Sequence, residues 1–452
     1  MTGLFVPTHP PRGAGPVPGW RGLIGERART AVYGWSEQAF DLWSMHRRIF
    51  GLNVYIPSHP DEVQRVLLDN AANYAKPRLV KRILAPTIGR GLLTSDGELW
   101  RGQRKIVAAS FTPPAVDDLV PVFAAVGSAA AKAWRAGVRD MALEATAATM
   151  TVISQALFSG DPRLTSRSAM DHITAAMEGV AEARLQVLLD LPLIPITPSG
   201  RRGRRGQQYL RRTLGQLVRE RLEPGAPDDF VTAMIAALME RFPRDEALEL
   251  AVDNAATFYL AGHETTANMT SWTLYLLAEQ PELQEEAAAE ARAALGGGID
   301  SGIDSGLPGR LPLLRMILEE SLRLYPPVPR MDREAVAADM LGEQEIKPGD
   351  FVSIWPWIIH RHKRLWEHPD AFDPGRFASD RRDGRHRFQY LPFGAGPRTC
   401  VGAHFAMAEA LTILAIWLSN WRFSPAPGHV VAVSGMVTLR PKGGLPLTLA
   451  RR

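Results

Sequence analysis

The stretch "FGAGPRTCVG", residues 393–402, holds the only cysteine in a chain of 452 residues. A lone cysteine closes no internal disulfide. No second cysteine or histidine pair stands near it at zinc-ligand spacing. Cys400 is therefore either a small packed hydrophobe or a residue that works alone. Its surroundings bear on the choice. Gly394, Gly396 and Gly402 permit backbone conformations and close approaches that other residues resist. The apolar, helix-like stretch "VGAHFAMAEALTILAIWLSNW" follows, and the amides and dipole of a helix start favour a thiolate.

The bulk composition is that of a globular protein, with 46% hydrophobic and 22% charged residues. A formal net charge of +4 gives no reason to expect a nucleic-acid partner. The basic residues cluster locally instead, as in "RRGRRG" at 201–206. One cysteine fits a reducing compartment. The opening "MTGLFVPTHPPRGAGPVPGW" lacks a charged region followed by an apolar core, so it is not read as a signal peptide. No run of about 18 apolar residues is found to span a membrane. A cytoplasmic protein without a transmembrane anchor is expected.

Helical periodicity dominates. It marks 61–70, 113–137, 141–160 and 206–222. The longest pattern runs from Asp245, read as its N-cap, to Gln280, and Pro281 opens the next helix over 281–295. Strand-like segments lie at 52–58, 335–358 and 429–450, the last with a Gly443–Gly444 hairpin turn. The glycine-rich "GIDSGIDSG" (298–306) and residues 189–206 read as loops. These patterns predict an α+β, mainly α fold. Residues 1–40 form an extended Pro/Gly-rich N-terminal arm, and 41–452 a single domain.

A cysteine thiolate as axial ligand of haem pushes electron density onto iron and favours O–O cleavage. The loop offers what that role needs: glycines for close approach, Phe393 to cover the sulfur, and Arg398 to reach a carboxylate. It also reads F-x-x-G-x-R-x-C-x-G, whose fixed positions match by chance in on the order of one chain in 10⁴. In this it resembles the haem-binding signature of the cytochrome P450 family. The resemblance implies the P450 fold, with a long central helix over haem and a small β-sheet region. It makes Cys400 the axial ligand of the haem iron and Arg398 a propionate partner.

Further motifs follow in the family's order. "AGHETT", Ala261–Thr266, sits inside the longest helix, where glycine and threonine are poor helix formers. Gly262 removes a side chain where a group can lie flat. Glu264 beside Thr265 places an acid next to an alcohol, a pair suited to proton delivery. The segment resembles the family's stretch over the distal haem face, which places Ala261 and Gly262 against the cofactor and gives Thr265 and Glu264 catalytic roles. "EESLRLYPP" (319–327) sets Glu320 and Arg323 on one helical face. It resembles the family's E-x-x-R, and "FDPGRF" (372–377) brings Arg376 to the same network, with Gly375 where the family often has glutamate. Trp100 and Arg104, one helical turn apart in "DGELWRGQRK" (96–105), and Arg333 in "PVPRMDREA" (327–335) resemble further propionate partners. Taken singly, each motif also reads as an ordinary ion pair or packed side chain.

The resemblance implies a haem-thiolate monooxygenase that hydroxylates a hydrophobic small molecule with one atom of O2. Its cofactor is haem b. No flavin or nicotinamide module is recognised, so electrons from NAD(P)H are expected through a ferredoxin and ferredoxin reductase, or a flavodoxin, with the chain itself a monomer. Apolar Ile83, Leu84, Phe258, Ala261, Val328, Met331 and Met436 are the expected substrate-facing residues. Arg78, Lys81 and Arg82 are either a carboxylate site or a solvated helix end. A peroxide-driven peroxygenase and a non-catalytic haem sensor or binding protein are the alternatives.

Overall fold

In the computed structural model, residues 4–15, 25–26, 30–49, 51–188, 191–195, 197–296, 303–435 and 437–452 are described. The chain divides into two compact units. The first comprises Met1–Tyr74, Val116–Ala148 and Glu264–Arg452; the second comprises Ala75–Ala115 and Thr149–His263.

The first unit carries the sheets. Its strands are β1 (Ser44–Ile49), β2 (Leu52–Pro57), β3 (Tyr74–Ala75), β4 (Gly137–Asp140), β5 (Met331–Ala335), β6 (Asp339–Leu341), β7 (Gln344–Ile346), β8 (Phe351–Ile354), β9 (Trp421–Pro425), β10 (Val433–Ser434), β11 (Arg440–Pro441) and β12 (Pro446–Arg451). A five-stranded sheet runs β1-β2-β8-β5-β3 and a three-stranded sheet β4-β12-β9. Strands β2 and β8 are parallel, with Val54 opposite Phe351. Strands β5 and β8 are antiparallel, with Arg333 opposite Val352. Strands β1 and β4 escaped the sequence reading because both are edge strands, rich in polar residues and paired on one side only.

The Gly443–Gly444 turn does not close the expected hairpin. Strand β11 before it pairs with β10, and β12 after it pairs with β9 and β4. The turn hands the chain from one sheet to another, a choice made by distant partners. The core centres on the helix Ala403–Asn420, whose residues from Phe405 to Leu418 are almost all buried. Phe405 meets Phe123 edge-on at 4.9 Å, and the Trp417 indole donates to Gly127 O at 3.1 Å. Trp35, Ala39 and Phe40 of the N-terminal arm are buried in this unit too.

Two helices, Pro113–Ala133 and Met141–Phe158, are long and apolar enough to cross a membrane by length and composition. They pass on average hydropathy rather than on an unbroken apolar run. Phe123 and Met141 within them are fully buried core residues.

The second unit is helical. The long helix spans Arg244–Ala278, within two residues of the sequence reading, and belongs to this unit through His263 and to the first from Glu264. Asp245 lies in its first turn rather than at its cap. The larger departure is at 198–206, read as a loop but folded as the start of a helix Pro198–Glu220. Thr197 caps it, its hydroxyl accepting from Gly200 N–H at 3.0 Å, and Pro198 takes the first position. The glycines that suggested a loop are where this helix meets Arg167–Leu188. A Cβ on Gly203 would lie 2.7 Å from Gly179 Cα, and one on Gly206 2.0 Å from His172 O. The arginines between them point to solvent. Residues 189, 190 and 196, and most of the "GIDSGIDSG" loop, lie outside the described residues.

Gly206→Ala should therefore destabilise the protein by about 1–3 kcal/mol through overpacking. Arg204→Ala should change it by less than about 0.5 kcal/mol. Denaturant unfolding of the two variants measures both.

Candidate functional site

In the first unit the cysteine loop is fixed by its own backbone. Gly394 N–H donates to Leu391 O at 3.2 Å, Thr399 N–H to Gly396 O at 3.1 Å and Cys400 N–H to Phe393 O at 2.9 Å. Gly394 and Gly396 have φ of +70° and +68°. At Gly396 a Cβ would sit 1.8 Å from Leu67 O, so only glycine lets the loop rest on that carbonyl. Gly402, expected to need similar freedom, has an ordinary φ of −91°. Cys400 is exposed at the end of this otherwise pinned loop. A free cysteine is more often buried, so exposure here sets it apart. Phe393 and Arg398 are half-buried beside it.

Arg333 lies on β5 and is 5% exposed, with Nη1 donating to Asp332 O at 2.9 Å. It shares a strand face with Met331, whose sulfur is 3.3 Å from where a Gly394 Cβ would lie. That places Arg333 on the side of β5 that meets the loop. Arg330, its neighbour, is engaged by Asp332 at 3.0 Å and by the Trp355 ring.

Beneath the loop lies the Glu320–Arg323 pair. Both side chains are 0% exposed. Arg323 Nε and Nη2 donate to the two Glu320 oxygens at 2.7 Å. Its remaining protons go to His360 O, Pro369 O and Ala371 O at 2.6–2.9 Å. Arg376 Nε is 3.4 Å from Glu320 Oε1, and its Nη2 donates to His368 O at 3.0 Å.

His360 was not found by sequence reasoning. Nδ1–H donates to Arg323 O at 3.2 Å and Nε2 accepts from Leu391 N–H at 2.8 Å. The imidazole is thus a neutral link from the buried pair to the residue that opens the cysteine loop. Burial, and then the Arg323 charge, hold its pKa down to about 3.

The long helix is buried at every position from Asp253 to Ala278 except within the "AGHETT" motif. Ala261 is exposed, and Gly262, Glu264 and Thr265 are half-buried. Ala261, Glu264 and Thr265 fall at i, i+3 and i+4 and so share a face. Glu264 Oε1 accepts from the Thr438 hydroxyl at 2.6 Å. Thr438 is distant in sequence and carried no signal of its own. Thr266 points away, to the buried Glu409, whose carboxyl desolvation keeps well above the usual range. Gly262 was expected to clear room for a flat group. Instead, a Cβ there would come within 2.6 Å of Ile153 Cδ1, so this glycine serves helix packing.

In the second unit, Trp100 and Arg104 are half-buried on the helix Gly97–Ala108. That helix is held by Gln103, fully buried, whose Oε1 accepts from Asn254 at 2.6 Å and whose amide donates to Arg90 O at 3.1 Å. Lys81 is paired with Asp96 at 2.6 Å, and Arg82 donates to Leu191 O at 2.6 Å. Met436 lies outside the described residues.

Among the described residues no group of three His, Cys, Asp or Glu side chains could hold a bare metal ion. The donors present fit haem better: one soft sulfur on a pinned loop, with cationic Arg398 and Arg333 on the loop and the strand beside it.

The family model described as "Cytochrome P450" matches residues 39–444. The chain belongs to the cytochrome P450 family. This P450 is 32% identical over 403 residues to cyclooctatin synthase of Streptomyces melanosporofaciens, covering 87% of this chain and 84% of that one. It is 30% identical over 407 residues to cytochrome P450 714C3 of Oryza sativa subsp. japonica, covering 87% and 79%. The crystal structure of the cytochrome P450DA heme domain superposes with a TM-score of 0.80 at 22% identity, covering 99% and 98% of the two chains, and shows the fold alone. The P450 is thus a haem-thiolate monooxygenase, an oxidoreductase that works with haem b and dioxygen.

His360 gives the P450 a pH dependence. Its folded pKa lies below the free value of 6.5. The stability tied to the neutral ring is complete above pH 6.5 and is lost as pH falls toward 3, at about 1.4 kcal/mol per unit. His360→Gln should be destabilised at pH 7 and recover relative to wild type by pH 4. Unfolding midpoints across that range check it.

Proposed function

We propose that this P450 hydroxylates a neutral hydrophobic small molecule, with electrons from NAD(P)H delivered by a separate ferredoxin and ferredoxin reductase, or by a flavodoxin. The observation that supports it most is in the first unit. An exposed Cys400 stands on a pinned loop, and the long helix there exposes an acid and an alcohol, Glu264 and Thr265.

Haem b, when bound, supplies dioxygen binding, O–O cleavage and atom transfer. The chain supplies the rest. Cys400 Sγ would hold the iron, with Phe393 half-buried beside it. Arg398 and Arg333 would offer N–H donors to the haem carboxylates, and the resemblance gives the same role to Arg104 and the Trp100 indole of the second unit. Ala261 presents only a methyl group and leaves the helix face low. Thr265 Oγ1 donates and accepts protons in hydrogen bonds on that face. Glu264 exchanges a proton at Oε2 while Thr438 holds Oε1, which fixes the plane of the carboxylate.

Val328 and Met331 of the first unit are at least partly exposed, as are Ile83 and Leu84 of the second, and each pair by itself suits apolar contacts. Lys81 and Arg82 are committed to Asp96 and the Leu191 carbonyl, which weakens the case for an acid. Arg101 and Lys105 are exposed one turn apart on the helix Gly97–Ala108. They suit an acidic electron donor steered by charge.

The reduced, carbon monoxide-treated protein should show the red-shifted Soret band of a thiolate complex, and Cys400→Ala should abolish it. Persistence of the band in the variant refutes the assignment. Arg101→Glu with Lys105→Glu should slow reduction by an acidic donor about tenfold at low salt and leave the Soret band in place. Stopped-flow reduction at two ionic strengths measures this.

A further inference from the structure

The segment from His368 to Asp373 wraps the buried Glu320–Arg323 pair. Pro369 O and Ala371 O accept from Arg323 at 2.6 and 2.9 Å, and Asp373 N–H donates to Glu320 Oε1 at 2.9 Å. The intervening groups face the other way, onto the N-terminal arm. Arg12 holds the Asp370 carboxylate with two hydrogen bonds, Nη1 to Oδ2 at 2.9 Å and Nη2 to Oδ1. Phe372 N–H donates to Phe5 O at 2.9 Å.

The arm is tied down along its length. Thr8 N–H donates to the Tyr275 hydroxyl at 3.2 Å, and the Tyr325 hydroxyl donates to Thr8 O at 2.6 Å. Gly13 N–H donates to Trp35 O at 3.3 Å, and Gly13 O accepts from Glu37 N–H at 3.0 Å. Arg12 also lies 3.8 Å over the Phe40 ring. Every one of these residues belongs to the first unit.

A competitor for Asp370 sits beside it. Arg361 is 1% exposed, stacks 3.7 Å over Trp357, and has its Nε 3.4 Å from Asp370 Oδ1. Among the described residues its Nε and Nη1 find no hydrogen-bond acceptor. A buried guanidinium with unused donors will take a carboxylate if one is released. If Arg12 let go, Asp370 would turn toward Arg361. The flanking carbonyls of Pro369 and Ala371 would then rotate off Arg323.

We propose that the N-terminal arm, Phe5 to Gly13, positions the haem ligand, with Arg12 as its key residue. Arg12 holds Asp370, Asp370 sets the 369–371 backbone on Arg323, and Arg323 is linked through His360 and Leu391 to the loop that ends in Cys400. Arg12 is a positioning residue, and its link to the thiolate rests on the haem-ligand reading of Cys400.

The test uses the full-length protein with Arg12→Gln, Arg12→Lys and Glu37→Gln. Amide exchange across 368–373 and the rate at which the reduced carbon monoxide complex loses its thiolate band are followed together. Arg12→Gln should speed exchange in that segment on the order of tenfold and shorten the life of the thiolate band several-fold. Arg12→Lys should fall between, because lysine cannot make the forked contact. Of the ion pairs of Arg12, Glu37→Gln removes only the longer, Nη1 to Glu37 Oε2 at 3.6 Å, and should match wild type. Should Arg12→Gln fail to fold, Tyr275→Phe with Tyr325→Phe loosens the arm without touching charge and should give the same pattern. Wild-type exchange at 368–373, exchange rising equally throughout the first unit, or an unchanged decay of the band would each overturn the proposal. If wild type itself shows no thiolate band, the ligand reading fails, while the exchange comparison still decides whether the arm braces Arg323.

Discussion

A guanidinium with no exposure to solvent is the constraint around which the first unit is built. Arg323 uses all five of its N–H donors: two on Glu320 and three on carbonyls of His360, Pro369 and Ala371. Burying two charges costs several kcal/mol per ion unless hydrogen bonds replace the lost water. Here the replacement is complete, but the acceptor carbonyls must arrive from two other stretches of chain, at 360 and at 369–371. The pair therefore acts less as glue than as a template. It dictates where residues 360, 369 and 371 lie, and through the neutral ring of His360 it dictates where Leu391 lies.

The chemistry stands on that template. Backbone hydrogen bonds within 391–400 and the Leu391 N–H bond to His360 pin the loop, and its contact with the Leu67 carbonyl tolerates no side chain at Gly396. A metal ligand needs a fixed backbone, because a shift of a fraction of an ångström alters the bond it makes. The long helix follows the opposite logic. It is buried almost throughout, and it opens only where an acid and an alcohol share a face. Glu264 is then steadied by Thr438, a residue from the far end of the chain.

Burial moves two ionisable groups of this unit, His360 and Glu409, toward their neutral forms. His360 is neutral because one nitrogen must donate to Arg323 O and the other must accept from Leu391 N–H. Burial raises the Glu409 carboxyl well above the usual carboxylate range, and the hydrogen bond with Thr266 offsets this only in part.

Much of this was legible in the linear chain, and the reason is physical. Cys400 with its glycines, the E-x-x-R spacing of Glu320 and Arg323, the acid–alcohol pair at Glu264 and Thr265, and the extent of the long helix are local patterns. Each involves residues within a turn or two, so the linear chain was enough to match them to a family's motifs. What the chain could not show were partners brought together from afar. The glycines at 203 and 206 looked like a loop until a second helix lay against them. The Gly443–Gly444 turn looked like a hairpin until its flanking strands chose other neighbours. Gly262 looked like space for a cofactor until Ile153 filled it. His360, Thr438 and Arg12 carry no motif, because each is defined by a carbonyl or carboxylate tens to hundreds of residues away. Composition and periodicity determined the class of fold, and the family resemblance of the cysteine loop singled out the sulfur proposed to bind iron. Tertiary structure alone decided what holds that atom still, since a buried hydrogen bond exists only once both of its ends have left water together.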